Sequence, residues 1–395
     1  MNSSANWISK LKGDKGIWTI ILLLAMASMM AVYSATGSMA YKHAGDSPDM
    51  YLLKHGLLIG FSLFVTYLLS NIHYKQLFRL APILMAITIG LLAYTLFFGV
   101  NVNDARRWIS LPVVGVTFQT SDLAKLVLIL YVARVIALKQ EIIRSRKVFN
   151  VLAPIMIPVG VVCLLIAPAD LSTAALLFAT AFIMMFMGRV KMRYLMAMVG
   201  MAVVMAGLLY TLATAFPDMF RLETWVNRIE DFRTNSDGEY QVKQAKIAIA
   251  EGGFFKLAPG SSDQRNYLPY AYADFIYAII CEEYGLIGGI IVIGLYLWLF
   301  VRCVILMTRS EKIFGPLLAL GMGLSLVIQA FANIAVSVHL VPVTGLTLPF
   351  ISMGGTSLVF TSAAFGIILS VSRTIEAARK AEREKAENYV ASPGY

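Results

Sequence analysis

Asp274 ends a long polar loop and opens an apolar run, in Leu268-Pro-Tyr-Ala-Tyr-Ala-Asp-Phe-Ile-Tyr-Ala-Ile-Ile-Cys-Glu-Glu-Tyr-Gly285. An ionised carboxylate at the mouth of a membrane segment is costly, roughly 2.5–3.5 kcal/mol at mid-membrane, unless chemistry uses it or a cation pairs it. The chemistry open to such a group is proton transfer. The plainer account is a helix-start carboxylate favoured by the macrodipole. Glu282 and Glu283 follow in the same segment. Upstream, Arg106, Arg107 and Lys125 lie in or beside another outer loop. Two guanidinium groups and an ammonium converging on one pocket suit a phosphate or pyrophosphate, which they bind by charge-assisted hydrogen bonds. Each also has a plainer role. Asp122 and Lys125 are spaced i,i+3 and can neutralise one another on a helix face. Arg106-Arg107-Trp108 suits a membrane interface, with Trp in the aromatic belt.

The elements that must hold these groups are transmembrane. Of 395 residues, 58% are hydrophobic and 14% charged, which is the composition of a polytopic membrane protein. Ten apolar stretches of spanning length recur, at about 17–36, 51–70, 80–99, 122–138, 149–167, 171–187, 193–215, 275–301, 314–338 and 356–372. The expected fold is an all-α polytopic membrane protein with about ten transmembrane helices. The segment around 272–303 is long enough that it must tilt or project. Most of the 33 Lys and Arg residues fall in alternate loops and at both ends, so the positive-inside rule sets both termini in the cytoplasm. The net charge of +10 is then a topology signal, and no nucleic-acid partner is expected. The basic flank before the first span reads as an uncleaved signal-anchor. Three scattered Cys and four unclustered His carry no disulfide or metal-site pattern.

This divides the chain into a cytoplasmic N-terminus (1–16), a ten-span membrane domain (17–372) and a charged cytoplasmic tail (373–395). A large extracytoplasmic loop, 216–271, joins spans 7 and 8, with helical patches at 218–232 and 240–250. Polar groups with chemical capability crowd the outer side: Asp104, Arg106, Arg107, Gln119, Asp122, Lys125, Asp170, Arg228, Tyr240, Gln241, Lys243, Lys246 and Asp274. Arg228, Lys243 and Lys246, taken singly, each read as a solvated face. The last outer loop, 339–355, carries two Pro and three Gly; irregular backbone at membrane depth lines a cavity or packs inside protein.

Five stretches, in order, resemble the FtsW/RodA/SpoVE (SEDS) family. Asn103-Asp-Ala-Arg-Arg-Trp-Ile109 with Phe118-Gln-Thr-Ser-Asp-Leu-Ala-Lys125 is similar to N-G-A-x-R-W-I…F-Q-P-S-E-L-x-K. Ala169-Asp-Leu-Ser-Thr173 resembles a degraded Q-P-D-L-G-T. Tyr240-Gln241 with Gln244, Ala248-Ile249 and Gly252-Gly253 resembles Y-Q-x-x-Q…A-I-x-x-G-G. The Asp274 stretch resembles L-P-E-x-x-T-D-F-I-F-A-x-x-x-E-E-x-G. Gln329, Asn333 and Pro342-Val-Thr-Gly-Leu-Thr-Leu-Pro-Phe-Ile-Ser-Met-Gly-Gly-Thr-Ser357 resemble Q-x-x-x-N…P-V-T-G-x-x-L-P-F-x-S-Y-G-G-S-S. Departures include Asp104 for Gly, Asp122 for Glu and Tyr270 for Glu, while Asp274, Arg107, Lys125 and Gln241 all stand. The Met353 form of the last motif and the charged tail favour the division branch over the elongation branch.

The resemblance implies a peptidoglycan glycosyltransferase of the bacterial inner membrane, polymerising lipid II on the extracytoplasmic side. An α-linked donor giving a β-1,4 product requires inversion, so one base on the acceptor's face suffices, half of the two-carboxylate arrangement of inverting glycosidases. It implies Asp274 as that base. Arg107 and Lys125 would stabilise the leaving undecaprenyl pyrophosphate, with Arg106, Gln119, Asp122 and Asp170 as further substrate-binding residues. Tyr240 and Gln241 would position sugar hydroxyls. It also implies a divalent cation (Mg or Mn, ligands unassigned), a class B penicillin-binding protein as transpeptidase partner, and other division proteins. Two alternatives stand beside it. A lipid II flippase requires polar residues through the whole bilayer, whereas here they crowd the outer half. A scaffolding role for division proteins is compatible with either.

Overall fold

The structure is a computed structural model describing residues 12–42, 48–102, 105–111, 116–140, 149–215, 222–234, 240–268, 271–310 and 312–391. A helix coincides with each of the ten apolar segments: α1 Lys15–Lys42, α2 Pro48–Asn71, α3 Tyr74–Phe98, α4 Thr120–Leu138, α5 Phe149–Ile166, α6 Leu171–Met187, α7 Met192–Ala215, α10 Ile276–Thr308, α11 Phe314–Ser337 and α12 Gly355–Ala391. The helical patches expected in the large loop are α8 Leu222–Thr234 and α9 Tyr240–Gly252. Among the described residues, seven helices (α1, α2, α3, α7, α10, α11 and α12) are long and apolar enough to cross a membrane. α5 and α6 are apolar but shorter, and α4 carries Asp122, Lys125 and Arg134.

Helix is not the whole architecture. The loop between α3 and α4 holds a three-stranded antiparallel sheet in the order β1 Val100–Val102, β2 Ala105–Leu111, β3 Val116–Gln119. β2 pairs with β3 from Trp108 opposite Gln119 to Leu111 opposite Val116, and β3 runs directly into α4. The all-α expectation needs that correction. β1 and β3 run for only 3 and 4 residues, and the longer β2, Ala-Arg-Arg-Trp-Ile-Ser-Leu, does not alternate strictly, so no period-2 signal stands out in the sequence.

α11 is the axis of the bundle, buried along most of its length against α10, α12, α4 and α6. α7, α2 and α3 lie at the periphery and expose apolar side chains such as Leu57, Phe97 and Val204, as a lipid-facing surface requires. The bundle has two distinct ends. At one, buried Asp14 pairs with Arg302, and its backbone N–H donates to Ser372 Oγ at 2.8 Å. Arg373 bonds Asn71, and Tyr74 packs on Phe314, at the same end. At the other, Ser34 donates to Glu283, and Arg265 Nη1 reaches the Ser34 carbonyl at 3.2 Å. This is the end that carries the sheet and the two loop helices.

The N-terminal part of α10 is broken at Gly285, whose φ of 67° and ψ of −174° lie in a region open essentially to glycine alone. The break frees backbone groups, and the chain after α9 takes them. Leu286 N–H donates to the Gly253 carbonyl at 2.9 Å, and Ala258 N–H to the Glu283 carbonyl at 3.0 Å. A Cβ at 285 would lie 2.8 Å from the Phe254 carbonyl oxygen and 2.9 Å from Lys256 N. Gly285→Ala is therefore expected to lower stability by more than the roughly 1–3 kcal/mol of backbone strain alone. A fall in the unfolding midpoint in detergent checks this.

Candidate active site

Arg107 is carried by β2. Side chains alternate across a strand, so the pleat of β2 fixes the face on which Arg107 lies. The Arg107 face meets the N-terminus of α6, where Arg107 Nη1 stands 3.3 Å from Asp170 Oδ2. Asp170 is the N-cap of α6. Its Oδ1 accepts from Thr173 N–H at 2.9 Å and its Oδ2 from Thr173 Oγ1 at 2.8 Å. The carboxylate thus caps a helix and holds a guanidinium at once. Arg107 Nε is buried without a hydrogen-bond partner among the described residues. Arg107, Thr120, Ser121 and Asp170 line a small cavity closed by Leu92, Thr95 and Ile166.

Lys125 lies one turn into α4. Its Nζ is 2.7 Å from Asp122 Oδ1 and 3.1 Å from Gln329 Oε1 on α11. The ion pair expected from the i,i+3 spacing is present. Both side chains are largely buried, and Asp122 Oδ2 has no partner among the described residues. A second cavity begins at Asp122, Lys125 and Gln329. It runs inward between α4, α11 and α12, past Ser325 and Thr361 to Met322 and Ala364.

Asp274 stands in the non-helical turn 271–275, immediately before α10, and is half-buried. Burial pushes its carboxyl above the ordinary Asp range, while Arg107 and Arg228 pull it back and Asp170 adds to the rise. Those neighbours define the mouth: two cations and a carboxylate from three separate elements face one acid. Arg228, on α8, also donates to the Val343 carbonyl at 3.0 Å, which ties the large loop to the loop between α11 and α12. Because Arg228 favours the ionised form of Asp274, Arg228→Gln is expected to raise the Asp274 pKa further. The acidic limb of any Asp274-dependent rate then moves to higher pH, and a rate–pH profile reads this directly.

The remaining expected residues are spread more widely. Gln119 pairs with Trp108 across the sheet, and its amide donates to Ser121 Oγ at 2.8 Å. Tyr240 is exposed at the start of α9, beside half-buried Gln241. The packed face of α9, Val242, Ala245 and Ala248, rests on Leu268, Phe275 and Ala278, so this helix abuts the Asp274 turn. Arg106 is paired through its backbone with Asn101, but its side chain, like Asp104, lies outside the described residues. Among the described residues no group of three or more His, Cys, Asp or Glu is arranged to hold a metal ion.

Glu282 and Glu283, whose depth the sequence leaves open, are fully buried. Glu282 accepts from Asp263 N–H at 2.8 Å, Gln264 N–H at 3.2 Å and Ser262 Oγ at 2.5 Å. Glu283 accepts from Ser34 Oγ and from Ser262 N–H at 3.2 Å. Both acids therefore moor the loop that leads to Asp274. Gln329, Asn333 and Ser352 were visible in the sequence only as motif members; their contacts join segments far apart in the chain.

The family model for the cell cycle proteins FtsW, RodA and SpoVE matches residues 14–377. The chain is 32% identical over 369 residues to a probable peptidoglycan glycosyltransferase FtsW of Geobacter sp. (strain M18), covering 92% of this chain and 98% of that protein. It is 34% identical over 371 residues to the protein of the same name from Trichlorobacter lovleyi, covering 92% and 94%. Among solved structures it superposes on a chain of a peptidoglycan synthase complex that coordinates polymerization and crosslinking, with a TM-score of 0.69, 25% identity and 92% and 98% coverage. It also superposes on the Thermus thermophilus rod shape determining protein RodA, with a TM-score of 0.63, 25% identity and 91% and 97% coverage. A match over nearly the whole chain, in sequence and in fold, follows from the same motifs that build the mouth around Asp274: the chain belongs to the FtsW/RodA/SpoVE family of cell cycle proteins.

Proposed function

We propose that this protein is a peptidoglycan glycosyltransferase that polymerises lipid II for septal wall synthesis. The observation that carries the reading is the placing of a half-buried acid, Asp274, within the field of Arg107 and Arg228 at one end of a membrane bundle. Asp274 accepts the proton of the acceptor's N-acetylglucosamine 4-hydroxyl as that oxygen attacks the anomeric carbon of the donor N-acetylmuramic acid. The bond to the pyrophosphate breaks on the opposite face, and the β-1,4 link forms with inversion. Negative charge grows on the leaving undecaprenyl pyrophosphate, and Arg107 and Lys125 receive it. Arg107 pairs with Asp170 and Lys125 with Asp122, so the diphosphate competes with those carboxylates for the two cations. Gln119, Tyr240 and Gln241 contact sugar and phosphate on the approach, and Arg106, in the same strand as Arg107, is a further cation for the phosphate.

Ten crossings with both termini in the cytoplasm put Asp274 on the extracytoplasmic side of the inner membrane. A divalent cation, Mg or Mn, would bind together with the pyrophosphate oxygens and neutralise charge on the leaving group. The partner is a class B penicillin-binding protein that crosslinks the new strands. The protein purified with that transpeptidase and supplied with lipid II and divalent cation should produce glycan chains. Vesicles that scramble lipid II while no preparation makes chains would favour a flippase instead. Depletion should give filaments lacking septa; rounded cells would assign the chain to the elongation branch.

A further inference from the structure

The turn that carries Asp274 is gripped at three consecutive carbonyls. The Tyr272 carbonyl accepts from Met353 N–H at 2.9 Å, the Ala273 carbonyl from Ser352 Oγ at 2.6 Å, and the Asp274 carbonyl from Asn333 Nδ2 at 2.7 Å. None of the donors belongs to α10. Two come from the last outer loop and one from the central helix α11. Asn333 Nδ2 also donates to the Leu346 carbonyl at 2.7 Å, and Ser352 Oγ accepts from Leu348 N–H at 2.9 Å. One amide and one hydroxyl therefore lock the Asp274 turn to the 346–352 loop.

The orientation of the Asn333 amide follows from its partners. Both are carbonyl oxygens, so only the NH₂ end can face them. Its Oδ1 is buried without a partner among the described residues. One turn earlier on the same face of α11, Gln329 accepts from Lys125 and donates to the Thr347 carbonyl at 2.9 Å. Gln329 and Asn333 thus moor the cation and the acid on adjacent turns of one buried helix. An Asp carboxylate has only two side-chain torsions, so the backbone beneath it largely sets where its oxygens lie. A displacement of about 1 Å at a reacting group can cost about 10²-fold in rate.

Resting on the function proposed above, we propose that Asn333 and Ser352 are positioning residues for Asp274, holding its backbone so that the carboxylate meets the acceptor hydroxyl. They touch no substrate and act through Asp274 alone. Asn333→Asp keeps the shape but replaces the shared donor with an acceptor facing two carbonyls. Ser352→Ala deletes the hydroxyl, and Ser352→Thr retains it.

The test is lipid II polymerisation by the full-length protein with its transpeptidase partner. Asn333→Asp and Ser352→Ala should lower kcat by about 10- to 100-fold, with KM for lipid II within about twofold of the parent, and Ser352→Thr should restore most of the rate. In an Asp274→Glu background, where the carboxylate is already displaced, the same changes should add much less than they do alone. A merely structural role would leave the effects additive. Parent-like kcat in Ser352→Ala, a rise in KM with kcat intact, or full additivity overturns the proposal. Should Asn333→Asp fail to fold, Ser352→Ala decides. Inactive Asp274→Ala beside fully active Asn333→Asp and Ser352→Ala sinks this inference alone, whereas active Asp274→Ala sinks it together with the assignment of the base.

Discussion

Asp274→Asn should lose about 10²–10⁴-fold in the rate of lipid II polymerisation, the range that a positioned proton acceptor contributes. At 1.36 kcal/mol per tenfold, this amounts to about 3–5 kcal/mol of transition-state stabilisation. Asn is the discriminating substitution. It keeps the volume of the side chain and leaves the backbone contacts of the turn intact, so the unfolding midpoint should stay near that of the parent. It removes only the ability to take a proton. The environment adds a second expectation. Because burial lifts the Asp274 carboxyl above the ordinary Asp range, the parent enzyme should lose activity on acidification at a higher pH than a solvent-exposed aspartate would. Single-turnover polymerisation across pH measures both. An Asp274→Asn protein that extends glycan at the parent rate would remove the base from this site.

The second large effect concerns Lys125, and it separates the two readings of its ion pair. Lys125 and Asp122 are 2.7 Å apart, with side chains 14% and 5% exposed. Removing one member of a buried pair leaves the other charge stranded, typically at a cost of 3–5 kcal/mol. Lys125→Met should therefore lower the unfolding midpoint and abolish polymerisation. The double variant Lys125→Met/Asp122→Leu replaces both charges with apolar volume, which is often neutral or stabilising. It should regain most of the stability and none of the activity. If polymerisation returned with stability, the pair would be structural only, and the diphosphate would have to be held by Arg107 without it.

The helices were legible because the bilayer imposes a coarse rule: about 20 apolar residues per crossing, with basic residues left on one side. Runs of that length survive any detail of packing, and each of the ten meets a helix. The i,i+3 pairing of Asp122 with Lys125 was legible too, because helix geometry alone sets that neighbourhood. The sheet was not. Its strands run for 3, 7 and 4 residues in a loop, and their register depends on a partner strand rather than on a local pattern.

The pairing of Arg107 with Asp170 was decided by that strand, which brings together residues 63 apart in the chain at the N-terminus of α6. Glu282 and Glu283 carry the same chemistry as Asp274 in the same apolar run, and nothing local separates the three. Folding did so, by laying 262–264 over the two glutamates and leaving Asp274 at the mouth. Asn333 reaches the Asp274 carbonyl from 59 residues away. Helix propensity and span length are properties of neighbouring residues, and so were written in the order of the chain. The burial of an acid, the pairing of Arg107 with Asp170 and the grip on the Asp274 turn arise from segments that meet only when the bundle closes.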